Sequence, residues 1–92
     1  MLSKVKLALR VSTNAFDGEI ENLINACKKE LELSGIASSN ISESDEMIIQ
    51  AVIMYCKANF GFDNAEAERY QNSYNSIKTF LVTNNSYNKG RE

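Results

Sequence analysis

Residues 55–74 read YCKANFGFDNAEAERYQNSY. An almost wholly apolar helix is cut there by one glycine, and a second helix opens shortly afterwards on acidic residues. Gly61 supplies the left-handed backbone that commonly stops a helix, and Phe62 is expected to fold back on the last turn as its hydrophobic clasp. Asp63 and Glu66 stand at the spacing of an acidic capping box. Each polar group in this joint therefore has local structural work. The stretch reads as architecture and offers little from which to build an active site.

Upstream of the joint, residues 45–60 are apolar on nearly all sides, with Gln50 and Lys57 marking a single polar line. A helix of that kind belongs at the centre of a bundle. A chain of 92 residues has few helices with which to surround it, and small domains bury a limited share of their surface. Part of the set Met47, Ile49, Ile53, Met54 and Phe60 is therefore expected to face another subunit. Downstream, Tyr70, Tyr74, Ile77 and Leu81 recur at helical spacing and form a core face, while Arg69, Gln71, Asn72, Ser73, Asn75 and Ser76 face away. Residues 83–92 are mostly Asn, Ser, Lys and Gly and are expected to form a free, flexible tail.

Towards the N-terminus, Phe16, Ile20, Leu23, Ile24, Cys27 and Leu31 recur at intervals of three and four, giving one apolar stripe that Gly35 ends. Asp17 is expected to cap this helix, with Glu19 and Glu21 in its first turn, where the positive end of the macrodipole favours acids. The run 36–44 has loop composition, and its two isoleucines, Ile36 and Ile41, are expected to pin it down. Leu2, Val5, Ala8 and Leu9 mark a short first helix, broken by Ser12, Thr13 and Asn14. There is no internal repeat and no strand-length alternation. The expectation is an all-α fold: a small bundle of one short and three longer helices, a single domain over residues 1–82, and the tail at 83–92.

Composition removes whole classes of chemistry. With 43% hydrophobic and 24% charged residues the chain is of the ordinary globular class. No apolar run approaches the roughly 20 residues of a membrane span, and residues 1–10 lack the apolar block of a secretory signal. The chain is expected to stay in the cytoplasm in which it is made. It has no histidine, so neither a Ser-His or Cys-His nucleophile pair nor an imidazole metal site is open to it. Cys27 and Cys56, 29 residues apart, fit neither a disulfide framework nor a zinc site and read as buried reduced thiols. The four glycines are isolated, so there is no phosphate-cradling loop. Asp45 with Glu46, and Asp63 with Glu66, stand at helix starts and read as caps. No enzyme activity, catalytic residue, metal or cofactor is expected.

The net charge of −2 is unevenly spread: residues 1–16 hold three basic groups and no acid, whereas residues 17–46 hold eight acids and two lysines. Without a basic stripe, nucleic-acid binding is the weaker reading. It survives as an alternative, a small DNA-binding or regulatory protein of helix-turn-helix type, because the joint at 61–64 has a suitable length. Gln71, Asn72, Asn75 and Lys78 would then read base edges, although Glu66 and Glu68 would stand in the first turns of the recognition helix.

Two segments carry a family resemblance: KLALRVSTNAFDGEIENLINACKKEL at 6–31 and the joint at 55–74. They resemble the small head-tail connector proteins of long-tailed bacteriophages, also described as DNA-packaging proteins and carried by prophages of Gram-positive bacteria. The matching positions are Leu9, Arg10, Val11, Asp17, Glu19, Ile20, Leu23, Ile24 and Ala26 in the first segment. In the second they are Tyr55, Lys57, Phe60, Gly61, Asp63, Ala67, Arg69, Tyr70 and Tyr74.

The resemblance implies a head-completion adaptor without catalysis. Its subunits would form a homo-oligomeric ring, typically dodecameric, docked beneath the portal protein and meeting a further head-completion or tail protein below. The ring extends the DNA channel, and DNA passes through without sequence-specific binding. The protein would be found in the host cytoplasm during assembly and then at the head-tail junction of the virion, with no membrane involved. An acidic wall suits such a channel, which makes Glu30, Glu32 and Glu43 candidate channel-facing residues. The polar tail would order on docking to a neighbour.

Overall fold

The computed structural model describes residues 1–61 and 64–88. It holds four α-helices, α1 (Leu2–Leu9), α2 (Asp17–Leu33), α3 (Glu46–Asn59) and α4 (Ala67–Thr83), with short 3-10 turns at Ser38–Asn40 and Asn85–Tyr87. This is the all-α bundle that the helical spacings predict.

One apolar cluster binds the helices together. It takes Ile20, Ile24, Cys27 and Leu31 from α2, Ile48, Ala51, Val52 and Cys56 from α3, Tyr74 and Leu81 from α4, Val5 from α1 and Ile36 from the loop. Each such Ile, Leu or Val contributes about 1.5–3 kcal/mol when fully removed from water. α3 lies at the centre, in contact with α1, α2 and α4, as its near-continuous apolarity requires. The Phe16 and Phe60 rings meet edge to face at 5.6 Å, which sets the start of α2 beside the end of α3. The Met1 amine lies 2.7 Å from Glu43, which sets the start of α1 near the start of α3. Thus α2 and α4 run antiparallel to α3, and α1 runs parallel to it.

The helix ends show which local signals prevailed. Asp45 caps α3 through Oδ1, which accepts from the Met47 and Ile48 amides at 2.9 and 3.3 Å. Asp17 does not cap α2. The cap position is Phe16, which offers no side-chain acceptor, and Asp17 is the first helical residue. Its carboxylate lies 2.8 Å from Lys6 Nζ, an ionic contact not aligned as a hydrogen bond. Asp17 thus ties α1 to α2 while still standing at the positive end of the α2 dipole. Arg10 ends α1 in the left-handed conformation (φ 61°), and the adjoining Val11 amide donates back to Lys6 O at 3.0 Å.

The loop is pinned by Ile36 and Ile41 as expected, whereas the chain end differs from expectation. Ile36 is fully buried, as its composition suggests, but so is Ala37, and a buried amide needs an acceptor. It finds one in Tyr87 O, at 2.8 Å. Asn40 Nδ2 donates to Ser86 O at 3.0 Å, Ile36 and Asn88 form an antiparallel bridge, and Tyr87 Oη donates to Asp45 Oδ2 at 2.9 Å. Residues 83–88, expected from composition to begin a free tail, finish α4 and then strap the α2–α3 loop. Residues 89–92 of that expected tail lie outside the described residues.

Because Asp45 both caps α3 and holds the strap, Asp45→Ala is expected to cost about 2 kcal/mol of stability in urea unfolding, against about 1 kcal/mol for Tyr87→Phe, which removes only the strap contact. Equal losses would mean that the cap contributes nothing.

Candidate functional site

The five side chains expected to face another subunit divide. Ile49 is only 8% exposed and belongs to the subunit's own core. Met47, Ile53, Met54 and Phe60 are partly buried against that core and keep surface at its edge. On α3 the seven-residue spacing puts Met47 and Met54 on one flank of the polar line formed by Gln50 and Lys57, with Ile53 on the other. A mixed apolar and polar strip therefore runs down the outer side of α3.

The three acids read as channel-facing do not converge. Glu30 accepts from Tyr74 Oη at 2.7 Å and from Lys78 Nζ at 3.1 Å. Glu32 stands two residues on, roughly 200° around α2, and lies 3.9 Å from Lys29. Glu43 meets the Met1 amine on the loop. Each has a partner in its own chain, so this geometry lends the acidic-wall reading no support. Residues suited to reading base edges are also engaged: Gln71 Nε2 donates to Asn75 Oδ1 at 3.1 Å, and Lys78 is held by Glu30.

At the joint, Asn64 does work that the sequence reading assigned elsewhere. Its amide donates to Lys57 O, and its Oδ1 accepts from the Glu66 amide at 3.1 Å, so it clasps the end of α3 to the approach to α4. Glu66 pairs with Arg69 at 2.8 Å and makes no capping bond. Gly61 has the left-handed backbone expected of it, φ 86°. Phe62 and Asp63, read as clasp and box, lie outside the described residues.

Burial pushes both thiols up to about 12, which leaves them protonated and poor nucleophiles at neutral pH. The Tyr74 hydroxyl is also pushed up, first by burial and then by Cys27 and Glu30. Among the described residues no group of three Cys, Asp or Glu side chains is placed to hold a metal ion, and no helix is long and apolar enough to cross a membrane. What the molecule offers is surface, and the family known by the description "Phage connector protein" matches residues 1–88.

The chain belongs to the phage connector family. No curated protein and no solved structure matches it significantly. It is a phage structural protein, a head-tail connector, from a family that is structural and not enzymatic. In this connector the polar groups act as fasteners. Burial would raise the Glu30 carboxyl, but the hydrogen bonds from Tyr74 and Lys78, with the Lys78 charge, outweigh it and hold it below its ordinary 4.5.

A carboxylate depressed in the folded state stabilises the fold above its unfolded value and loses that contribution as pH falls through the folded value. The melting temperature is therefore expected to drop as pH falls below about 4.5, and Glu30→Gln is expected to flatten that drop. An unchanged profile in the variant would show that Glu30 is not linked to folding. Cys27 and Cys56 are expected to resist a chromogenic disulfide reagent at pH 8 until denaturant is added. Prompt labelling of either would contradict their burial.

Proposed function

We propose that the connector works as a ring, dodecameric in the virion, docked beneath the portal vertex and extending the DNA channel towards the tail. The observation that carries this reading is the family match over residues 1–88. The physical character of the subunit supports it. Among the described residues no charged side chain is buried, and the apolar strip of Met47, Ile53, Met54 and Phe60 lies half-open at the core edge. Such an edge suits packing against a neighbour, where partly exposed aliphatic side chains gain by further burial.

Assembly begins in the cytoplasm of the host cell and ends with the protein at the head-tail junction of the particle. The ring meets the portal protein on one side and a further head-completion or tail protein on the other, and DNA passes through it without sequence-specific contacts. The strap at 84–88 is joined to the loop by a handful of hydrogen bonds and is suited to serve as the arm towards one of these partners.

Negative-stain electron microscopy of the concentrated connector, alone and with the portal protein of its own phage, is expected to show rings, free or seated on the portal. A portal left bare at saturating connector would overturn the reading. Ile53→Asp and Met54→Asp are each expected to abolish the rings while leaving the helical circular dichroism unchanged, because a carboxylate in a closed apolar contact costs more than the contact returns.

A further inference from the structure

At the C-terminal end of α1 lies an open groove of about 730 Å³ whose lining includes Leu7, Arg10 and Lys57. Leu7 is 81% exposed there, the most exposed large apolar side chain among the described residues. Arg10 stands at the left-handed turn that ends α1, so its side chain leaves the helix at an angle set by the backbone. Lys57 Nζ lies 5.3 Å from the centre of the Tyr70 ring. Neither cation has a carboxylate partner in its own chain among the described residues, whereas Lys6, Lys29, Arg69 and Lys78 all do. The groove thus joins an uncovered leucine to two uncompensated positive charges.

Three exposed acids in the same half of the molecule, Glu19, Glu21 and Glu68, are also uncompensated, and Glu21 lies roughly 200° around α2 from Glu19. Glu19, near the start of α2, and Glu68, near the start of α4, are exposed and have no ion-pair or hydrogen-bond partner among the described residues. The contacts of Glu30 with Tyr74 and Lys78 hold α2 and α4 side by side and parallel. Counting back along both helices at about 1.5 Å per residue brings Glu19 and Glu68 to within roughly one turn of the same height. Glu19 stands eleven residues before Glu30, about three turns, and so lies on the α4 side of α2. These acids therefore border the α2–α4 side of the bundle, while Arg10 and Lys57 lie on the α1–α3 side. The heights agree, because Lys57 is clasped by Asn64 just before α4 begins.

We propose that the groove formed by Leu7, Arg10 and Lys57 on one subunit receives the Glu19 and Glu68 edge of the next. This inference rests on the ring reading and names the contact that would close it. Two unlike patches at one height on opposite sides of a subunit are what a head-to-tail contact requires, and such contacts generate rings when the rotation closes. Exposed ion pairs add little affinity by themselves. Their part is to select the partner and its orientation, while covering Leu7 adds apolar burial.

Carbodiimide, which joins a carboxylate to an amine without a spacer, tests this on a concentrated mixture of nitrogen-15-labelled and unlabelled connector. Mass spectrometry is expected to find mixed-isotope peptides joining Lys57 to Glu19 or Glu68. The pair Arg10→Glu with Lys57→Glu, and the pair Glu19→Lys with Glu68→Lys, are each expected to weaken self-association in sedimentation at least about tenfold, since like charges then face each other. Mixing the two variants is expected to restore association, with circular dichroism confirming that both are folded. Rings that give no inter-subunit product at Lys57 and ignore the charge reversals overturn the proposal and leave the ring standing. A connector that gives no inter-subunit product and also leaves the portal bare overturns both.

Discussion

Helix α3 has too little polar surface to face water, and the other elements are disposed to cover it. Ile48, Ile49, Ala51, Val52 and Cys56 are buried, and the clearly exposed positions are Glu46, Gln50 and the terminal Asn59. α2 and α4 pack antiparallel to it, and the short α1 adds Val5 to the same cluster. Small residues such as Ala51 and Cys56 allow close approach on the buried side, while Met47, Ile53 and Met54 remain at the rim. A subunit that covers its central helix only in part is suited to assembly, because covering the remainder by a neighbour continues the process that folds it.

Apolar burial has no direction, so the register of the helices is set by a few polar ties. Glu30 accepts from Tyr74 and Lys78 and thereby fixes α2 against α4, and the Tyr74 ring also meets Tyr55 of α3 edge to face at 5.2 Å. Asp45 holds the start of α3 with one oxygen and the strap with the other. Lys6 and Asp17 join α1 to α2. Losing one member of such a tie leaves its partner poorly satisfied, which costs more than the tie itself contributes. These side chains resemble an active site only in composition. Each is spent on holding the shape that a structural phage protein must present to its partners.

Local chemistry makes most of the fold legible in the sequence. Three-and-four spacing of apolar residues located α1, α2 and α4, near-continuous apolarity located α3, Gly61 marked its stop, and the acids at 45–46 marked its start. Legibility failed where the deciding partner is distant in sequence. Asp17 has the right type for a cap, yet the helix begins at Asp17 itself, and Lys6, eleven residues earlier, claims its carboxylate once α1 folds across. The polar composition of 83–88 suggests freedom, yet the buried Ala37 amide needs an acceptor and takes Tyr87 O. Glu30, Glu32 and Glu43 each meet a different partner within the chain, which their sequence neighbourhood did not disclose. Among the described aromatics of the joint, Tyr74 is buried, and Phe60 packs at the core edge against Phe16.

By itself the sequence determined that this chain is a helical structural protein. Its periodicity dictated which faces must be buried, the absence of histidine removed imidazole chemistry, and two segments carried the connector resemblance that the family match over residues 1–88 upholds. Only the tertiary structure decided which charges are spent inside the chain and which, like Arg10, Lys57, Glu19 and Glu68, find no ion-pair partner among the described residues. The reason is physical. Burial and helical phase are local properties of residue type and spacing, whereas an ion pair or a strap depends on which distant groups the packing of α3 brings within a few ångströms.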